Sequence, residues 1–101
     1  MVLITYNDLS LKKHKITRDQ VKEAITDPMR AIFDMPERTT QLSNLVAEAD
    51  SYRQMIVGYT HTNILLEVGI EMIADHALHI FHAQKISPQY YKLYEEWLKN
   101  G

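Results

Sequence analysis

The sequence predicts an α+β domain: an antiparallel sheet of about four strands, two N-terminal helices and one C-terminal helix. Helix-start residues stand at Asn7, Thr17 and Ser87, each just ahead of a stretch with helical character. Runs rich in β-branched and aromatic residues fill most of Tyr52 to Ala83 and are broken only by short turn-like pairs. The resulting order is strand, two helices, three or four strands, helix, which groups the strands as an antiparallel sheet does. A chain of 101 residues supports one hydrophobic core, so residues 1–101 are read as a single domain.

The elements follow in order. Val2 to Tyr6, "VLITY", is a short strand, and Asn7 caps a short helix reaching Lys15. Thr17 with Gln20 three places on forms a capping box, and Val21, Ala24 and Ile25 make one apolar stripe before Asp27-Pro28 stops the helix. Met29 to Met35 reads as extended and Glu37 to Ser51 as mostly irregular. "YRQMIVGYT" and "NILLEVGIEMI" flank His61-Thr62 as a β-hairpin, with Ile64, Leu66, Val68, Ile70 and Met72 alternating onto one face. After a turn at Asp75-His76, "ALHIFHA" is a further strand. Ser87 then caps the last helix with Pro88 at its first position, and Tyr90, Leu93, Tyr94 and Trp97 follow the spacing of a buried stripe.

Composition excludes several function classes. No apolar run approaches the roughly 20 residues that cross a bilayer, and the N-terminus has no basic start followed by an apolar stretch, so a cytoplasmic location is expected. The absence of cysteine removes disulfides and thiolate metal sites. A net charge of −2 argues against wholesale attraction to nucleic acid, although Lys12, Lys13, Lys15, Arg18 and Lys22 crowd the first quarter of the chain.

Five histidines invite a metal, but His79 and His82 are an odd number apart on one strand and are expected on opposite faces; no metal or other cofactor is expected. Isolated glycines supply no phosphate-cradling loop, and no serine sits in a nucleophile elbow. What remains is a set of basic and imidazole groups: Lys12, Lys13, His14, Lys15, Arg53, His82 and Lys85. RNA cleavage through attack of the neighbouring 2′-hydroxyl needs little more, since cations stabilise charge on the pentavalent phosphate while an imidazole moves protons. The bland alternative is a solvated helix end for the K-K-H-K run and a packed helix for the C-terminal aromatics.

Two segments resemble a known family. "KHKITRDQVKEAITDP", Lys13 to Pro28, resembles the first signature of the BrnT toxins of bacterial type II toxin–antitoxin systems, and "IFHAQKISPQYYKLYEEW", Ile80 to Trp97, resembles their C-terminal strand and helix. "IVGYTHTNILLEV" is similar more loosely to their central hairpin. The resemblance implies a RelE-like fold and a metal-free endoribonuclease that inhibits translation, with RNA as substrate and a cognate DNA-binding antitoxin as partner. It matches Lys13, His14, Arg53 and Lys85 to family positions, with His82 in place of a serine; together with the basic and imidazole set above, this puts His14, Lys85, His82 and Arg53 in catalysis and Lys12, Lys13, Lys15 and Gln84 against RNA.

This chain departs from the family pattern at several positions. Gln84 stands where the family has arginine and Tyr90 where it has glutamate, and an amide cannot replace a guanidinium's charge and two-pronged phosphate grip. Lys15 stands where the family has glycine, at a cost of about 1 kcal/mol if that backbone is left-handed. These departures keep a second hypothesis in play, a catalytically inactive relative that binds an antitoxin-like chain or a second copy of itself.

Overall fold

The computed structural model describes residues 3–35, 52–74 and 76–100. In chain order these form β1 (Leu3–Tyr6), α1 (Asp8–Lys13), α2 (Arg18–Ile25), β2 (Ala31–Asp34), β3 (Tyr52–Tyr59), β4 (Leu65–Ala74), β5 (Ala77–Lys85) and α3 (Pro88–Asn100). The segment 37–51, expected to be irregular, lies outside the described residues.

The fold is α+β, with a five-stranded sheet ordered β1-β5-β4-β3-β2. It is mixed rather than wholly antiparallel, because β1 lies parallel to β5, with Leu3 opposite Ala77 and Tyr6 opposite Ile80. A short apolar strand carries no sign of which neighbour it will take; the direction is set by the return of the chain through both helices and three strands. β1 reaches only as far as Ile80. There Asn7 donates its N–H to the Ile80 carbonyl and the chain leaves the sheet, so Phe81 to Lys85 has no outer neighbour strand among the described residues.

Local chemistry explains the helix ends. The Asn7 side chain accepts from the Ser10 N–H at 3.3 Å, which satisfies one of the donors a helix start leaves unpaired. α1 stops at Lys13, two residues short of the expected Lys15, because Lys15 takes φ 58° and a left-handed residue cannot continue the helix. The capping box of α2 is complete, with Gln20 N–H donating to Thr17 Oγ1 at 3.1 Å and Thr17 N–H to Gln20 Oε1 at 2.9 Å. At the start of α3 the Tyr91 N–H donates to the Ser87 carbonyl at 2.9 Å.

The sheet is covered on both faces. Leu11, Ile16, Val21 and Ala24 pack with Ile56, Leu66, Val68, Ile70, Ile80 and Ala83 in the main core. The next residues along the same strands, Val57 and Leu65, belong instead to a smaller cluster with Ala31 and with Tyr90, Tyr94 and Trp97 of α3. Strand side chains alternate between faces, so α1 and α2 lie on one side and α3 on the other. Leu93, expected in the buried stripe, is exposed, and Met72 at the end of its face is too. Gly58 is what lets α2 sit close to the sheet, since a Cβ there would overlap the Ala24 carbonyl.

One irregularity matters for the site. Gly69 of β4 pairs with His82, yet Ile70 pairs with Ile80, leaving Phe81 as an extra residue in β5. Such a bulge turns the alternation by one. His79 and His82 therefore stand opposite Glu71 and Gly69, two residues of one face, and the expectation that they point to opposite faces is corrected. Gly69 has no side chain where the Phe81 ring crosses; a Cβ there would come within 2.7 Å of that ring.

Candidate functional site

The open end of β5 meets the α1–α2 turn. An open cleft of about 480 Å³ between them is lined by His14, Lys15, Ile16, Gln20, Ile64, Gln84 and Lys85. Among the described residues, Lys15 and Lys85 are its two full cations and no carboxylate lines it. His14 and Lys85, 71 positions apart in sequence, thus share one cleft. The left-handed turn at Lys15 brings the chain back between the two helices directly beside this opening.

His82 stands next to it. Its ring centroid lies 5.9 Å from that of His14, with the two planes at 70°. Its Nε2 lies 2.9 Å from Glu67 Oε2, while the other carboxylate oxygen accepts the Ser87 N–H at 2.6 Å. Glu67 is only 3% exposed. Burial pushes its carboxyl up, but the hydrogen bonds from His82 and Ser87 outweigh this and hold it below its ordinary value. The carboxylate form is therefore the one the fold favours. Tyr90 lies near the same group, and burial together with the Glu67 charge pushes its phenol up.

The remaining expected site residues fall elsewhere. Arg53 does not line the cleft: its guanidinium lies 4.3 Å from the centroid of the Phe81 ring, stacked as cations favour, and pairs with Glu71 at 3.4 Å. Lys12 and Lys13 are exposed on the last turn of α1, beside the cleft but not among its lining residues. Among the described residues no group of three or more His, Cys, Asp or Glu could hold a metal ion, and none of the helices is long and apolar enough to cross a membrane. His79 is occupied by Thr5, Nδ1 to Oγ1 at 2.7 Å.

Sequence reasoning missed Glu67. It was hidden in the apolar run of β4 as an outward position of an alternating strand. Its signal was a carboxylate on the strand face that a later aromatic helix covers, since a buried charge demands partners.

A second cleft, of about 530 Å³, has the opposite character and includes Glu23, Asp27, Tyr59, Thr60 and His61 in its lining. Its carboxylates have structural work: Asp27 accepts the Tyr59 N–H at 2.8 Å and the Met29 N–H at 3.0 Å, and Glu23 accepts the His61 N–H at 2.9 Å. They tie the end of α2 to the β3–β4 turn.

Chemically, the first cleft can hold an anion between two lysines and present the His14 imidazole to it, with the His82 ring 5.9 Å from that of His14. Compared with known proteins, the chain matches no family model, and no curated protein is significantly similar to it.

Proposed function

We propose that this protein is a metal-free endoribonuclease acting in the cytoplasm as the toxin component of a bacterial type II toxin–antitoxin system, with a DNA-binding antitoxin as its partner. The observation that carries the enzymatic part is the meeting of His14, Lys15 and Lys85, drawn from the two segments that resemble the BrnT signatures, in one cleft at the open end of β5, with the His82 ring 5.9 Å from that of His14. The biological setting rests on that resemblance alone.

The chemistry is transesterification within RNA. One imidazole takes the proton of a 2′-hydroxyl as that oxygen bonds to the adjacent phosphorus. The bond from phosphorus to the 5′-oxygen breaks, and the other histidine, as imidazolium, gives its proton to the departing oxygen. Lys15 and Lys85 neutralise the charge that accumulates on the phosphoryl oxygens, the task for which fixed cations are most effective. The products are a 2′,3′-cyclic phosphate and a 5′-hydroxyl, and the two histidines exchange protonation states over the cycle.

Induced expression tests the reading. Growth arrest with loss of RNA integrity, abolished by His14→Ala or Lys85→Ala, is the expected result. Toxicity that ignores both substitutions would remove the site. Gln84, an uncharged amide in the cleft wall, favours a second reading, an inactive relative that binds an antitoxin-like chain. Harmless expression together with a stable complex would select it.

A further inference from the structure

Glu67 is a buried ionisable group that the reaction above does not use. Both of its oxygens are engaged, one by the Ser87 N–H and one by His82 Nε2, and its side chain is 5% exposed against 26% for that of His82. A carboxylate can only accept. Its neighbour must therefore present a proton, so His82 carries one on Nε2 whether the ring is neutral or charged. In the neutral ring this leaves the lone pair on Nδ1, and the described hydrogen bonds give Nδ1 no partner.

We infer that Glu67 is a positioning residue that fixes the tautomer of His82, making Nδ1 the proton acceptor of a ring that packs edge-on to His14. The inference rests on the proposed function for its catalytic consequence, and it sorts the two imidazoles: His82 accepts the 2′-hydroxyl proton and His14, as imidazolium, donates to the leaving oxygen. The carboxylate then stabilises the imidazolium that forms on His82, as a buried acid behind a catalytic histidine does. Among the described residues, those the contacts place against the pair are His14 from the α1–α2 turn, Ser87 and Tyr90 at the start of α3, and Gly69 from β4 across the bulge. None is a carboxylate competing for Nε2–H.

The same contact joins three elements, since Glu67 lies on β4, His82 on β5 and Ser87 at the entrance to α3. A purely structural staple would need the hydrogen bonds but not a particular lone pair. Glu67→Gln separates these roles: the amide oxygen still accepts from Ser87, while the NH2 group now donates toward Nε2 and forces the proton to Nδ1.

The test is nitrogen-15 NMR of the histidine rings in the whole chain, with RNA cleavage measured alongside. The wild type should show neutral His82 as the Nε2–H tautomer. Glu67→Gln should show Nδ1–H and cleave at least about 100-fold more slowly, the scale of a lost general base, while retaining the backbone spectrum of the fold. An Nδ1–H tautomer in the wild type overturns the inference without any variant, as does wild-type cleavage by a folded Glu67→Gln. If the wild type cleaves no RNA, the proposed function and the base assignment fall, and the tautomer alone decides whether Glu67 positions His82.

Discussion

Replacing His82 by alanine should destabilise the protein in a pH-dependent manner that reports on Glu67. At neutral pH the substitution strands a carboxylate that is 3% exposed and leaves it, among the described residues, with the hydrogen bonds from Ser87 alone. A hydrogen bond to a charged group contributes about 1.5–3 kcal/mol, and breaking a fully buried pair costs about 3–5 kcal/mol. The His82 side chain is 26% exposed, so water reaches the vacated position and the lower range applies, about 2 kcal/mol at pH 7. Glu67 is held below its ordinary value of 4.5 in the folded protein, so the stabilisation is complete above that value and is lost as pH falls through the lower, folded one. In His82→Ala the stranded carboxyl takes up a proton more readily, and the difference between variant and wild type should shrink below about 1 kcal/mol in acid. Urea denaturation of both proteins at pH 7 and at successively lower pH measures it. A penalty that stays constant across that range would refute the reasoning, because it would show that the lost energy is packing and not charge.

Three further outcomes follow from particular contacts. Gly58→Ala should lower stability by about 3 kcal/mol, since the added methyl meets backbone rather than a yielding side chain; thermal denaturation reads the loss. Lys15→Gly should raise it by about 0.5–1 kcal/mol, because relief of left-handed strain at φ 58° exceeds the entropy that glycine gives the unfolded chain. Lys85→Ala should slow RNA cleavage about 100-fold or more with no change in melting temperature beyond a degree or two, as expected for an exposed strand-end residue.

What the sequence made legible is the chemistry that acts over three or four residues. The Thr17–Gln20 box, the Asn7 cap, the hairpin turn at His61-Thr62 and the Ser87-Pro88 entry all depend on near neighbours and appear where expected. The left-handed backbone at Lys15 was legible through the glycine that the resemblance places there. What remained hidden depends on distant neighbours. The parallel pairing of β1 needs knowledge of where β5 ends up. The bulge at Phe81 reverses a parity that simple alternation fixes for His79 and His82, and only Gly69 on the opposite strand hints at it. The two-sided covering of the sheet turned an apparently outward Glu67 into a buried partner of His82. Arg53 was placed in the site by residue type and by its match to a basic position of the resembled family; the tertiary structure gives its guanidinium to Phe81 and Glu71.

The most direct test of the central claim is cleavage of RNA by the purified chain in the presence of a metal chelator, with product ends identified and His14→Ala and Lys85→Ala assayed beside the wild type. The account predicts cleavage undiminished by the chelator, fragments ending in 2′,3′-cyclic phosphate and 5′-hydroxyl, and a loss of about 100-fold or more in each variant. Wild-type protein that leaves RNA intact, or cleavage that survives in both variants, would contradict it.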